Sequence, residues 1–211
     1  MKNIIDALNW RYAVQIFDQN KKLTDEQLNM ILDAGRLAPS SFGLQPWKFI
    51  VVKNPETRAK LREAGFDQRK ITEASHFVVF AVRKDLDEAY VDRYVKLVSE
   101  TRAVTVESLA GLDAMLRGAV NRRTPEERLV WSTNQLYISL GMMLATAALE
   151  GIDAGPMEGF DRKKFDEILG LEEINLESRA ALALGFRSDA DPMSHAAKVR
   201  FPKEEVVVEI S

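Results

Sequence analysis

The sequence contains no cysteine, which excludes disulfides, thiolate metal sites and a cysteine nucleophile, and which fits a reducing cytoplasm. It has only two histidines, His76 and His195, far apart and in no metal-ligand spacing, so no metal centre is expected. Long hydrophobic runs are missing too. No stretch approaches the length of a membrane span, and Met1-Lys2-Asn3-Ile4-Ile5-Asp6 lacks the apolar core of a signal peptide; a soluble, cytoplasmic protein is expected. Neither sign of charge dominates, with 29 basic against 32 acidic side chains and a net charge of -3, so nothing global points to nucleic acid or an anionic membrane as partner. There is no Gly-x-Gly-x-x-Gly after a strand, no phosphate-binding loop ending in Gly-Lys-Ser/Thr, and no nucleophile elbow. Redox chemistry, if present, must therefore come from a borrowed cofactor.

What is present is a globular mixture, 46% hydrophobic and 29% charged over 211 residues, long enough for one sizeable α+β core; a single domain over residues 1–211 is expected. Ile4, Ile5 and Leu8 mark a short amphipathic helix ending near Trp10, and Arg11 to Asp18 reads as extended. Thr24 with Gln27 is a capping-box pattern, followed by Leu28, Ile31, Leu32 and Leu37 at helical spacing. Trp47 to Val52 is strand material, Asn54-Pro55-Glu56 starts a helix, and His76 to Val82 is a continuous apolar run suited to a central strand. Asp85 to Asn121 is helical in character. Thr124-Pro125-Glu126-Glu127 then opens the clearest helix, which keeps its three-four rhythm to Leu149. Gly151 to Asp161 reads as a glycine- and proline-bracketed loop, Lys163 to Leu169 as a helix, Ala180 to Leu184 as a strand, and Val206 to Ile210 as an alternating, strand-like tail.

Two loops carry more punctuation than a connection needs. Ala38-Pro39-Ser40-Ser41-Phe42-Gly43-Leu44-Gln45-Pro46-Trp47 offers two hydroxyls, an amide and a glycine between a helix and a strand; it reads either as a ligand-holding loop or as a rigid turn with Trp47 in the core. Pro156-Met157-Glu158-Gly159 is the second, where bare peptide groups allow close approach of a ligand. Arg11 can face a ligand phosphate, matching its oxygens in bidentate geometry, or form a surface salt bridge. Lys70, Lys198 and Arg200 complete a scattered set of cations, with no evident acid, base or nucleophile.

At these residues the chain resembles the flavin-dependent nitroreductase family, and more narrowly its oxygen-insensitive NAD(P)H nitroreductase and dihydropteridine reductase branch. The segments that carry the resemblance, in order, are Arg11 to Asp18, Pro39 to Phe49, Lys70 to Phe80, Pro156 to Asp161 and Lys198 to Pro202. The resemblance implies an α+β, nitroreductase-like α/β sandwich with a central mixed, mainly antiparallel sheet, and a homodimer in which a C-terminal strand is swapped between subunits. It implies FMN at the subunit interface and NADH or NADPH as electron donor, with hydride passing to flavin N5 and on to a nitroaromatic, quinone or similar small acceptor in a ping-pong cycle. Arg11, Lys198 and Arg200 are then expected at the FMN phosphate with Tyr12 and Ala13 beside it, Gln15, Asp67 and Lys70 near the ring edge, and Met157, Glu158 and Gly159 over the ring. Pro39, Ser40, Ser41 and Gly43 are expected to reach the flavin held by the other subunit. No catalytic side chain is required, because the cofactor carries the chemistry.

The chain departs from the family pattern at four places. Gln15 stands where the family has lysine, Asp67 where it usually has asparagine, Gly43 where closer relatives have asparagine, and Gly111-Leu112 at the position of a substrate-gating aromatic pair. The first two lower the positive charge beside the flavin's pyrimidine edge, and the last two imply an altered substrate pocket. A flavin or pteridine reductase with another acceptor, or an FMN-binding module with little turnover, are the alternatives.

Overall fold

The computed structural model describes residues 3–210. Four strands, β1 (Trp47–Val51), β2 (His76–Arg83), β3 (Asp153–Met157) and β4 (Leu176–Gly185), form one sheet in the order β1-β2-β4-β3, and every pairing in it is antiparallel. This is the mainly antiparallel sheet expected, and among the described residues its parallel component is an isolated bridge between Ala13 and Ala154. Around the sheet run α1 (Ile4–Trp10), α2 (Asp25–Arg36), α3 (Pro55–Ala64), α4 (Lys70–Glu73), α5 (Glu88–Arg102), α6 (Ala110–Asn121), α7 (Pro125–Leu149), α8 (Arg162–Leu169) and α9 (Lys203–Val206). The fold class is α+β, as expected.

β2 explains why its sequence shows no polar alternation. Val78, Phe80 and Val82 face a core built with α2 and α7, while Phe77 and Val79 face a second core built with α3 and α8. A strand covered on both faces has no position at which a polar side chain reaches water. β4 behaves alike, with Ala180, Leu182 and Leu184 on one side and Ala181 and Ala183 on the other. Its register against β2 shifts between Phe80 and Ala81, leaving Arg179 as the extra residue of a bulge. Past that bulge the parity inverts, and Ser178 turns to α8, its N–H donating to Asp166 Oδ1 at 2.9 Å.

The helices begin where their caps predict. Thr24 and Thr124 each complete a capping box, with Gln27 and Glu127, and α7 additionally has Pro125 at its first turn. One face of α7 carries the buried Leu136, Leu140, Met143 and Ala147. The other leaves Val130, Ile138 and Met142 exposed, and α1, which packs on α7, leaves Ile4, Ile5 and Leu8 exposed.

Two expectations fail here. The segment read as a loop from Gly151 contains β3, an edge strand: Ala154 points its carbonyl outward to the N–H of Val14 at 3.3 Å, and Pro156, two residues on, therefore lacks its N–H on that same outer side, where the β4 ladder loses nothing. The tail is the opposite case. Val206 closes the single turn of α9, and no strand forms over Val206 to Ile210, whose Val206, Val208 and Ile210 are exposed. Alternation of apolar residues specifies a strand only when a neighbouring strand supplies hydrogen bonds, and the described chain offers the tail none.

Phe80 is fully buried and packs its ring against that of Phe49 at 5.1 Å between centroids. Phe80→Ala is expected to destabilise the fold by about 3–5 kcal/mol, read as a lower urea midpoint with unchanged slope; a loss below about 1 kcal/mol would place the core elsewhere.

Candidate functional site

The extended segment after α1 is fastened by two bridges, Ala13 to Ala154 on β3 and Phe17 to Arg187 just past the end of β4. Gly155 permits this approach, since a Cβ there would lie 2.6 Å from the Val14 carbonyl oxygen and 3.3 Å from Lys70 Cδ. The stem of Lys70 thus crosses over β3 directly beneath residues 13–15.

Three cations gather where this segment leaves α1. Lys198 Nζ donates to the carbonyl of Arg11, and Arg200 lies close enough to hold the Arg11 guanidinium below its usual pKa, burial being the larger cause. Lys198 is pushed down by burial and then by Arg11 and Arg200. Arg11 Nε is buried without a hydrogen-bond partner, and among the described residues none of the three forms an ion pair. Like charges left together, with a buried donor unsatisfied, are matched to an anion with several acceptor oxygens.

Next to them sits a cluster of polar side chains. Lys70, only 4% exposed, donates from Nζ to Gln15 Oε1 at 3.4 Å, and Gln15 Nε2 donates to the Ala13 carbonyl at 2.9 Å. Burial lowers the Lys70 pKa and the charge of Asp191 opposes the shift. Tyr12 is pushed up to about 12, first by burial and then by Asp191. The ring of Tyr12 is covered by the Arg187 guanidinium at 4.5 Å, and Arg187 pairs with the buried Asp153 at 2.6 Å.

At the neighbouring rim, Gln68 Nε2 donates to the Gly159 carbonyl at 2.6 Å, joining the segment before α4 to the end of β3. Asp67 is tied to Arg62 at 2.6 Å and is largely exposed. Phe66 and Asp67 both have left-handed backbone, φ 57° and 56°, a conformation that is costly for a bulky residue. Met157 is buried, while Glu158 lies exposed beside Tyr137, whose hydroxyl is pushed up to about 12 by burial and then by Glu158.

The loop after Pro39 is elsewhere. Ser41 N–H donates to Gln135 Oε1 at 2.8 Å, Ser40 Oγ accepts from the Gln45 N–H at 3.0 Å, and Tyr94 donates to the Phe42 carbonyl at 2.9 Å. Gly43 has φ 75°, and a Cβ there would meet the Tyr94 hydroxyl at 2.4 Å. This loop leads into β1, whereas Arg11 to Gln15 line β3, the opposite edge strand. With β2 and β4 between, those edges stand on the order of 14 Å apart. The structure thus brings together Arg11, Tyr12, Ala13, Gln15, Lys70, Lys198 and Arg200, sets Asp67 and Met157 to Gly159 at their rim, and leaves Pro39, Ser40, Ser41 and Gly43 apart.

Asp191, Arg187, Asp153, Gln68, Gln135 and Tyr137 were not singled out from the sequence. For Asp191 a signal existed, because Asp-Pro is the pattern of a capping residue followed by proline at the first turn, and Asp191 does cap the 3-10 turn Pro192–His195. Nothing local marks the others.

The profile of the family described as the nitroreductase family matches residues 8–186. The chain belongs to the nitroreductase family. A Staphylococcus epidermidis protein provisionally named NAD(P)H nitroreductase is 38% identical over 216 residues, covering 98% of this chain and 96% of its own. Among solved structures, a nitroreductase-named protein of Exiguobacterium sibiricum in complex with FMN superposes with a TM-score of 0.84 at 19% identity, covering 100% of this chain and 98% of that one. An enone reductase of gut-bacterial fatty acid saturation superposes equally well, TM-score 0.84 at 24% identity, covering 100% and 99%.

Gly155→Ala should disturb both the edge bridge and the Lys70 stem, because the clash is with backbone. We expect a loss of about 1–3 kcal/mol in chemical denaturation; an unchanged midpoint would show that the 13–15 segment is not held against β3.

Proposed function

We propose that the protein is an FMN-dependent NAD(P)H oxidoreductase working as a homodimer. The observation that carries this reading is the cluster of Arg11, Lys198 and Arg200, which among the described residues has no carboxylate partner and has one orphaned buried Nε. Family membership and the names of the relatives support the cofactor pair. A flavin phosphate would be held by these three cations, with the backbone of Tyr12 and Ala13 alongside. Gln15 and Lys70 would then meet the polar edge of the ring, and Met157, Glu158 and Gly159 would border it. Bound FMN supplies a hydride acceptor and donor, so a nicotinamide and a reducible acceptor can use one site in turn, the order of a ping-pong cycle. The chain's own contribution is positioning and charge: with Gln15 neutral and Asp67 engaged by Arg62, Lys70 is the cation nearest the pyrimidine edge. The acceptor is a small electrophile such as a nitroaromatic or quinone.

Two surfaces without an internal partner among the described residues support the dimer. The exposed apolar face of α1 and α7 forms one of them. The other is a groove of about 740 Å³ beside the free edge of β1, lined by Trp47, Phe49, Tyr90 and Tyr94. The apolar tail beyond Pro202 from a second copy fits it, adding a strand to the open edge, and the Pro39 to Gly43 loop would in turn complete the flavin site of that copy. Residues 1–211 form one flavin-binding unit in this reading.

The purified protein should be yellow and should bleach on anaerobic mixing with NADH or NADPH; no bleaching over minutes would remove the reductase reading. Arg200→Ala should weaken FMN binding about 10- to 150-fold, equivalent to the ~1.5–3 kcal/mol of a charged hydrogen bond, with little change in thermal stability of the FMN-free protein. Deleting residues 203–211 should give a monomer by sedimentation that also loses FMN. A stable dimer after that deletion would contradict the swapped tail.

A further inference from the structure

Asp191 is 1% exposed, and its carboxylate is fully engaged. Oδ2 accepts from the N–H groups of Gln15 at 2.8 Å and Ile16 at 3.2 Å, and Oδ1 from the N–H of Met193 at 2.9 Å. Burial alone would raise its pKa, but these donors outweigh burial and hold the carboxyl below the usual range, so it stays charged. Capping the turn at Pro192 needs a single acceptor oxygen, which serine or asparagine supplies as well. A buried negative charge exceeds that need, and a lone one is costly.

The charges around it are few. Arg187 and Asp153 satisfy one another, and Tyr12 is neutral with its pKa pushed to about 12. The Lys70 ammonium, almost as deeply buried, is a charge that Asp191 acts on without a direct ion pair: Asp191 opposes the fall in its basicity caused by burial, and the one hydrogen bond of Lys70 is the long contact to Gln15 Oε1. An ammonium has three donors, so two are left for an acceptor outside the described chain. Gln15 joins the groups covalently: its N–H binds Asp191 while its amide oxygen binds Lys70.

We propose that Asp191 is a positioning residue of this site: it is the fixed countercharge of the buried Lys70 ammonium, and by clamping the backbone of Gln15 and Ile16 it sets the net positive charge that Lys70 presents to the bound ligand. At a site where the neighbouring position holds the neutral Gln15, the Lys70–Asp191 pair decides how strongly an extra negative charge on that ligand is stabilised. This inference rests on the flavin reading for the identity of the ligand, but the pairing itself does not.

Two measurements separate those dependences. In the FMN-free protein, the titration of Lys70 followed by NMR of its side chain should move down by about one unit in Asp191→Asn, since a countercharge is lost; an unmoved titration would overturn the pairing whether or not FMN binds. In the FMN-loaded protein at pH 6, where Lys70 is charged in both forms, Asp191→Asn should favour the reduced over the oxidised cofactor about tenfold, a rise of ~30 mV in a two-electron midpoint. Lys70→Met should shift it the opposite way. If Asp191 served only as a backbone clamp, Asp191→Asn would weaken both oxidation states alike and leave the midpoint in place, which would also overturn the proposal. Because Asp191→Asn loses an acceptor and could fold poorly, Asp191→Glu serves as the control that keeps the charge, and it should retain the parent midpoint.

Discussion

A sheet buried on both faces leaves only its edges and ends for function, and the chain is arranged around that constraint. β2 and β4 occupy the middle and are covered by apolar side chains above and below. The outer strands therefore receive everything else. On the β3 side the chain's own residues 11–18 run along the edge, bridged at Ala13 to β3 and at Phe17 to Arg187 past the end of β4. On the β1 side no other described strand completes the ladder. This asymmetry assigns the two edges different work. The finished edge is rigid enough to hold buried charges in register, and the open edge invites a strand from outside.

The finished edge concentrates electrostatic tension. Burial, and then the neighbouring cations, depress the basicity of Arg11 and Lys198, and Lys70 is buried with a single long hydrogen bond. Such an arrangement costs stability in the free chain and persists because surrounding contacts over-determine it: Gly155 admits the Lys70 stem, Arg187 covers Tyr12, and Asp191 pins residues 15 and 16. Arg11, Lys198 and Arg200, which form no ion pair among the described residues, have their largest effect on an anion that arrives from solution, because no internal partner must first be displaced.

Much of this was legible in the sequence wherever the determining interactions are local. Thr24 with Gln27, and Thr124 with Pro125 and Glu127, announce helix starts because the capping bonds close within three residues. The apolar run from His76 announces a central strand because both faces of one strand are read together. β3 was hidden, since Gly155 and Pro156 are loop-like residues whose presence makes sense only once Val14, Lys70 and the outer edge are in place. Asp191 is legible as a cap before Pro192 but not as a clamp, because its partners Gln15 and Ile16 lie 176 and 175 residues away. The alternating Val206, Val208 and Ile210 of the tail encode a strand only where a neighbour is present, and the described chain does not itself provide one. Among the site residues, the cations and the 12–15 segment were legible through the family pattern, which stores long-range proximity that a single sequence does not display.

The separation of the Pro39 to Gly43 loop from the cation cluster sharpens what the family pattern means in physical terms. The loop is stiffened at considerable cost, with left-handed backbone at Phe42, Gly43 and Gln45, and it is fastened by Tyr90 and Tyr94 of α5 and by Gln135 of α7. Strain of this kind is sustained where geometry matters, yet nothing in the same chain's charged pocket lies close enough to benefit. A loop held this firmly toward empty surface makes sense when its counterpart is carried by another copy of the chain. In the proposed dimer the open β1 edge, the exposed face of α7 and the unpaired tail would meet one requirement, with each subunit supplying the charges for one cofactor site and the stiff loop for the other.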